Sequence, residues 1–82
     1  MISDNTTRAT IRAHAREKIG ENIRKFRKES GMTQAQASEL LTGAHESYFR
    51  SIENGQKDIS LIRAIEIADL LGVSLSDIVE GV

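Results

Sequence analysis

Residues 32–60 read MTQAQASELLTGAHESYFRSIENGQKDIS, and the fold turns on them. Thr33 followed three residues later by Gln36 is a capping box, each side chain accepting a backbone N–H at the other's position. A short helix over 34–41 follows, with Leu40 and Leu41 closing its apolar face. Gly43 permits a change of direction, and a second short helix is expected over 46–54, beginning near His45 or Glu46. Asn54-Gly55 ends it, because glycine takes the left-handed conformation that stops a helix. A step of about 100° per residue puts Phe49, Ile52 and Glu53 on one side of this second helix. Ser47, Arg50, Ser51 and Asn54 fall on the other, flanked by Glu46 and Tyr48. The first set is expected in the core, the second on the surface.

Upstream, Ile19, Ile23 and Phe26 recur at four- and three-residue spacing and predict a helix that Gly31 ends. Ile11 and Ala15 carry the stripe back toward Thr6 or Thr7, although Gly20 costs a helix interior about 1 kcal/mol relative to alanine. Downstream, Ser60 caps a helix over 61–71, with Leu61, Ile65, Ala68 and Leu71 expected to face inward and Gly72 to stop it. Ser74 and Asp77 form another capping box, for a short last helix to about Glu80. The fold class is all-α: a compact five-helix domain over 19–82, preceded by an N-terminal extension over 1–18 that is expected to be helical.

Eighty-two residues suit one domain with a modest core, for which self-association is a natural support. The absence of proline and the 28% of charged residues favour helices over strands. Without cysteine, disulfides and thiolate metal sites are excluded. No segment approaches a membrane span or a secretory leader, so a cytoplasmic protein is expected. Arg8, Arg12 and Arg16 imitate an organelle presequence, but Asp4 and Glu17 interrupt it. Residues 1–30 carry eight basic against four acidic side chains, and residues 58–82 one against five, within a net charge of −1. The chain is therefore expected to be basic toward a binding face and acidic opposite, a polarity compatible with DNA, which responds to local field.

Two short helices about a glycine turn are the organisation of a helix-turn-helix, whose second helix enters the major groove. The chain resembles the Cro/C1-type, phage-repressor-like (XRE) helix-turn-helix family. The resemblance rests on IGENIRKFRKESGMTQ (19–34), Phe49, Ile52-Glu53, Gly55, Ser60-Leu61, Ile67-Ala68 and Leu71-Gly72-Val73. It covers residues 19 to about 80. Three departures stand out: Ala37 where the family usually has leucine, a turn from Leu41 to Ser47 one residue longer than usual, and Ile59 in place of a common proline. The first two bear on the angle between the motif helices.

Double-stranded DNA is the expected partner. Glu46, Ser47, Arg50 and Ser51 are candidate base-reading residues: Arg50 can fork onto guanine and Glu46 can accept from a cytosine amino group. The resemblance gives Gln34 and Tyr48 backbone roles, and Asn54, Gln56 and Lys57 look like a second phosphate clamp. It also pairs Arg27 with Glu53, since a carboxylate on the buried side needs a partner. His45 suits a turn or cap, and His14 is expected to be exposed; with scattered carboxylates the two make no triad or metal set. No enzyme activity, cofactor, metal or small-molecule ligand is expected, since the chain leaves no room for a separate sensing domain. The implied function is a sequence-specific transcriptional regulator acting as a homodimer, in the manner of restriction–modification controllers or small phage and plasmid repressors. Leu75, Ile78, Val79 and Val82 on the last helix are its expected interface. An antitoxin, or a protein-interaction module on the same fold, is the alternative.

Overall fold

The computed structural model describes residues 5–82 as five helices, with no strand among the described residues. They are α1 (Asn5–Glu29), α2 (Gln34–Glu39), α3 (Tyr48–Glu53), α4 (Leu61–Leu71) and α5 (Leu75–Ile78). Residues 1–4 of the extension lie outside the described residues. From residue 5 the helix passes position 18 without a break, and its 25 residues span about 37 Å at 1.5 Å each. That accounts for most of the 41 Å long axis of the molecule. The other helices gather on its second half: α3, α4 and α5 pack on α1, α2 on α3, and α5 on α4.

Gly20 sits mid-helix because α1 crosses the C-terminal end of α3 there. A Cβ at that position would stand 2.5 Å from the Ile52 carbonyl oxygen and 2.8 Å from that of Glu53. Glycine lets the two backbones meet where a side chain would hold them apart. Around this crossing Ile23, Phe49, Ile67 and Ile78 are fully buried, with Ala37, Leu41, Ile52, Ala68 and Leu71 completing the core. The buried Ser38 hydroxyl accepts the Phe49 N–H at 3.1 Å, fastening α2 to the first turn of α3.

Both motif helices are shorter than their sequence spacing predicts, ending at 39 rather than 41 and starting at 48 rather than 46. Leu40 and Leu41 leave α2 through tighter bonds to the carbonyls of Ala37 and Ser38, and this rotates Leu40 into solvent while Leu41 stays buried. The buried face of α4 is also rotated from the expected one. Ala64, Ile67, Ala68 and Leu71 face the core, whereas Leu61 and Ile65 are exposed together with Ile62. Two overlapping stripes exist in LIRAIEIADLL, and the helix buries the one that starts at the small Ala64.

The Ser74–Asp77 capping box forms as expected, and the Ser74 backbone N–H on its carboxylate holds the Asp77 pKa below the ordinary value. The fifth helix is only one turn long and corrects the interface expectation. Ile78 is fully buried in the core of its own chain, so it has no surface to offer a second copy. Leu75 is half-buried, and only Val79 and Val82 of that group are exposed.

Replacing Gly20 with alanine would add about 1 kcal/mol to an exposed helix. Here the sign reverses: Gly20→Ala is expected to destabilise the fold by about 1–3 kcal/mol as the crossing is forced apart. A urea melt checks this, and a midpoint at or above the parent's would contradict the close approach.

Candidate nucleic-acid interface

The inner side of α3 is fixed by charge as well as by packing. Arg27 on α1 donates from Nε to Glu53 Oε2 at 2.6 Å and from Nη2 to Oε1 at 3.0 Å, a fork with both residues buried. Its Nη1 donates to the Met32 carbonyl at 2.7 Å, and Gln34 Nε2 donates to Glu53 Oε1 at 3.0 Å. Every N–H direction of the guanidinium's nitrogens that carries a bond here points into this cluster, and no buried side-chain N or O lacks a partner among the described residues. The network joins the end of α1, the start of α2 and the end of α3 in one geometry.

Gln34 is the first residue of α2, directly after the N-cap Thr33 and inside the Thr33–Gln36 capping box. Its bond to Glu53 uses one of the two N–H donors of a carboxamide. A shallow groove of about 260 Å³ runs between the starts of the two motif helices and brings Gln34 together with His45, Glu46, Ser47 and Arg50. Glu46 and Ser47 occupy the turn before α3 rather than the helix itself, so the expected second helix loses two of its candidate base readers to the turn. His45 Nδ1 accepts the Ser47 N–H at 3.1 Å and lies 2.9 Å from its hydroxyl, which gives the turn its shape. Arg50 and Asn54 stand exposed on the outer side of α3, with Ser51 half-buried between them.

The helix closes on Gly55 at φ +71°, where Gln56 N bonds to Ser51 O and Gly55 N to Ile52 O. Gln56 and Lys57 are thereby delivered exposed, Lys57 beside Tyr48. Tyr48 meets Phe49 edge-on at 6.3 Å, with the Arg63 guanidinium 5.2 Å and the Lys57 ammonium 5.9 Å from its ring centre. Burial raises the pKa of its phenol above 10.0, outweighing the lowering effect of Arg63, so the hydroxyl keeps its proton at neutral pH. Arg63 also donates to the Thr42 carbonyl at 3.2 Å and pins the long turn against α4. Sequence spacing offered no signal for Arg63 beyond its Glu66 neighbour, nor for Ser38, whose role depends on a partner eleven residues away.

The charge polarity of the sequence is partly cancelled in space. Arg16 Nε donates to Asp58 Oδ1 at 2.6 Å, and Arg12 stands 3.7 Å from the other oxygen. The Arg16 hydrogen bond holds the Asp58 pKa below the ordinary value. Arg27 is committed to Glu53, and Lys18 faces Glu21 at 3.8 Å. Arg50 makes no ion pair among the described residues.

A turn-linked pair of helices, α2 and α3, supported by α1, α4 and α5, with a locked inner face and a polar outer one, defines a helix-turn-helix protein. Residues 23–78 match the helix-turn-helix family model, and the chain belongs to that family, of the XRE type. It is 34% identical over 64 residues to an uncharacterized HTH-type transcriptional regulator, y4dJ, of Sinorhizobium fredii, covering 78% of this chain and 82% of that one. It is 30% identical over 61 residues to the control protein C.MunI of a Mycoplasma species, covering 74% and 82%. No described helix is long and apolar enough to cross a membrane.

Removing one member of a buried ion pair leaves the other uncompensated. Glu53→Ala is expected to cost about 3–5 kcal/mol of stability, visible as a large drop in melting temperature. A variant melting within a degree or two of the parent, roughly the effect of a few tenths of a kcal/mol, would show that the pair is solvated.

Proposed function

We propose that this chain is a sequence-specific DNA-binding transcriptional regulator that acts as a homodimer on an operator with two half-sites. The observation that carries the reading is the division of α3 into two sides. Its inner side is held by Phe49, Ile52 and the Arg27–Glu53 fork, while Arg50 and Asn54 stand exposed on the outer side, next to Glu46 and Ser47. In this reading Glu46, Ser47, Arg50 and Ser51 address base edges in the major groove. Gln34, Tyr48, Asn54, Gln56 and Lys57 hold the sugar–phosphate backbone on either side. The protonated Tyr48 hydroxyl is a donor for a phosphate oxygen. The family and the regulator and control-protein names of the relatives support the same reading.

Support for a dimer comes from apolar surface that the fold leaves uncovered: Leu61, Ile62 and Ile65 on α4, and Val79 and Val82 at the end of the chain. In a two-fold dimer this surface meets its copy, and the two α3 helices address half-sites about one DNA turn, roughly 34 Å, apart. Selection of bound sequences from a random duplex pool tests the whole reading, since a palindromic site yields the contacts, the symmetry and the spacing together.

Against the selected site, Arg50→Ala is expected to cost about 1–3 kcal/mol while binding to random DNA barely changes. Gln34→Ala should weaken all sequences alike. Equal losses on both DNAs for Arg50→Ala would make it a backbone contact instead.

Val79→Asp is expected to leave the fold intact and to sediment as a monomer, with affinity for the two-half-site operator collapsing. A dimer that persists in Val79→Asp but is lost in Ile65→Asp would move the interface onto α4.

A further inference from the structure

Between the first half of α1 and the loop after α3 lies a groove whose cationic side chains, Lys57 apart, have no role in the DNA-binding reading above. Its floor is aliphatic: Ile11, Ala15 and Ile19 from α1, facing Ile52 and Ile59. Ile59, in the loop after α3, supplies part of that floor. Its rim is cationic, formed by Arg8, Arg12, Arg16 and Lys57, with Asp58 as the one carboxylate. The groove encloses about 520 Å³, within the roughly 300–1,000 Å³ of small-molecule pockets. Ile11, at 48% exposure, is the apolar residue that an occupant would cover. The whole α1 wall lies before residue 23, outside the segment that matches the family model.

We propose that this groove binds a small amphipathic anion, a carboxylate carrying a short aliphatic body. The charge argument is direct, since four cations face a single carboxylate that is already shared between Arg16 and Arg12. Asp58 also displays the complementary chemistry: a carboxylate oxygen sits 2.6 Å from Arg16 Nε at the edge of the groove. Guanidinium forks match a planar carboxylate well. The floor argues for an aliphatic body, because no aromatic ring lines the groove to stack on a flat ligand. A fully hydrated polyanion would gain nothing from that floor.

Lys57 belongs both to this rim and to the loop behind α3. A bound anion therefore neutralises a cation beside the proposed DNA face and lowers DNA affinity. That regulatory half rests on the DNA-binding reading, whereas the binding site does not.

The test titrates the full chain with octanoate by calorimetry without DNA, with octanol as the uncharged counterpart. Saturable binding at one octanoate per chain is expected, weakened roughly tenfold or more by Arg12→Ala. Ile11→Glu, which puts a carboxylate on the floor of the groove, is expected to abolish it. Circular dichroism melts establish that both variants fold, and Arg12→Ala carries the test if Ile11→Glu does not. Absence of saturable binding, equal binding of octanol, or unchanged binding by the folded variants overturns the site. So does a finding that Arg8→Ala and Arg12→Ala weaken DNA binding and flatten its salt dependence while octanoate stays unbound, which assigns the cations to the DNA backbone. With operator DNA that the parent binds, saturating octanoate is expected to reduce affinity, and an unchanged affinity overturns the regulatory half.

Discussion

The contact between Arg27 and Glu53 is the constraint on which the rest of the molecule depends. Two opposite charges, 26 residues apart in the chain, are withdrawn from water together. Such burial is tolerable only when the remaining donors and acceptors also find partners, and here Met32 and Gln34 supply them. The value of the arrangement lies in geometry more than in net stability. A fork is satisfied over a narrow range of angles, so it sets how α3 lies across α1 and where α2 begins. The backbone contact at Gly20 acts on the same end of α3 from the other direction. Together they hold a six-residue helix, far too short to persist alone, in a defined orientation.

What was legible in the sequence was mostly local. The capping boxes at Thr33–Gln36 and Ser74–Asp77 and the stops at Gly55 and Gly72 all depend on bonds within a few residues, and all are present. The all-helical class followed from them. Tertiary choices were less legible because the residues permit more than one answer. Helix α4 has apolar side chains around most of its circumference, so its buried face was decided by what packs against it. Ile78 looked available to a partner because a single-turn helix gives no sign of which side the core will take. At the candidate site, Arg27 and Glu53 came together through family resemblance, not through any spacing in the chain. The Ser38–Phe49 and Arg63–Thr42 bonds, which shape the long turn, were invisible to pattern reading.

Charge shows how sequence order and space can part at a single residue. A basic first third and an acidic last third suggested a molecule with opposed poles. The loop after α3 lies along α1, and Asp58 lands between two of its arginines, so one acidic group of the last third sits among the basic ones. Beside α3, Arg50 and Lys57 remain outside these ion pairs among the described residues. Exposed charges of this kind act over short distances at physiological ionic strength, where screening sets in over about 8 Å.

The division of α3 into a fixed side and an open side also bears on how such a protein diversifies. Side chains at positions 46, 50 and 54 project from the fold without supporting it. A lineage can therefore exchange them one at a time, each intermediate folding as well as its parent. Positions 20, 27 and 53 allow no such drift, because a change at any one of them demands a matching change elsewhere. Change on the open side of α3 thus leaves the fold as it was, while the scaffold beneath it stands still.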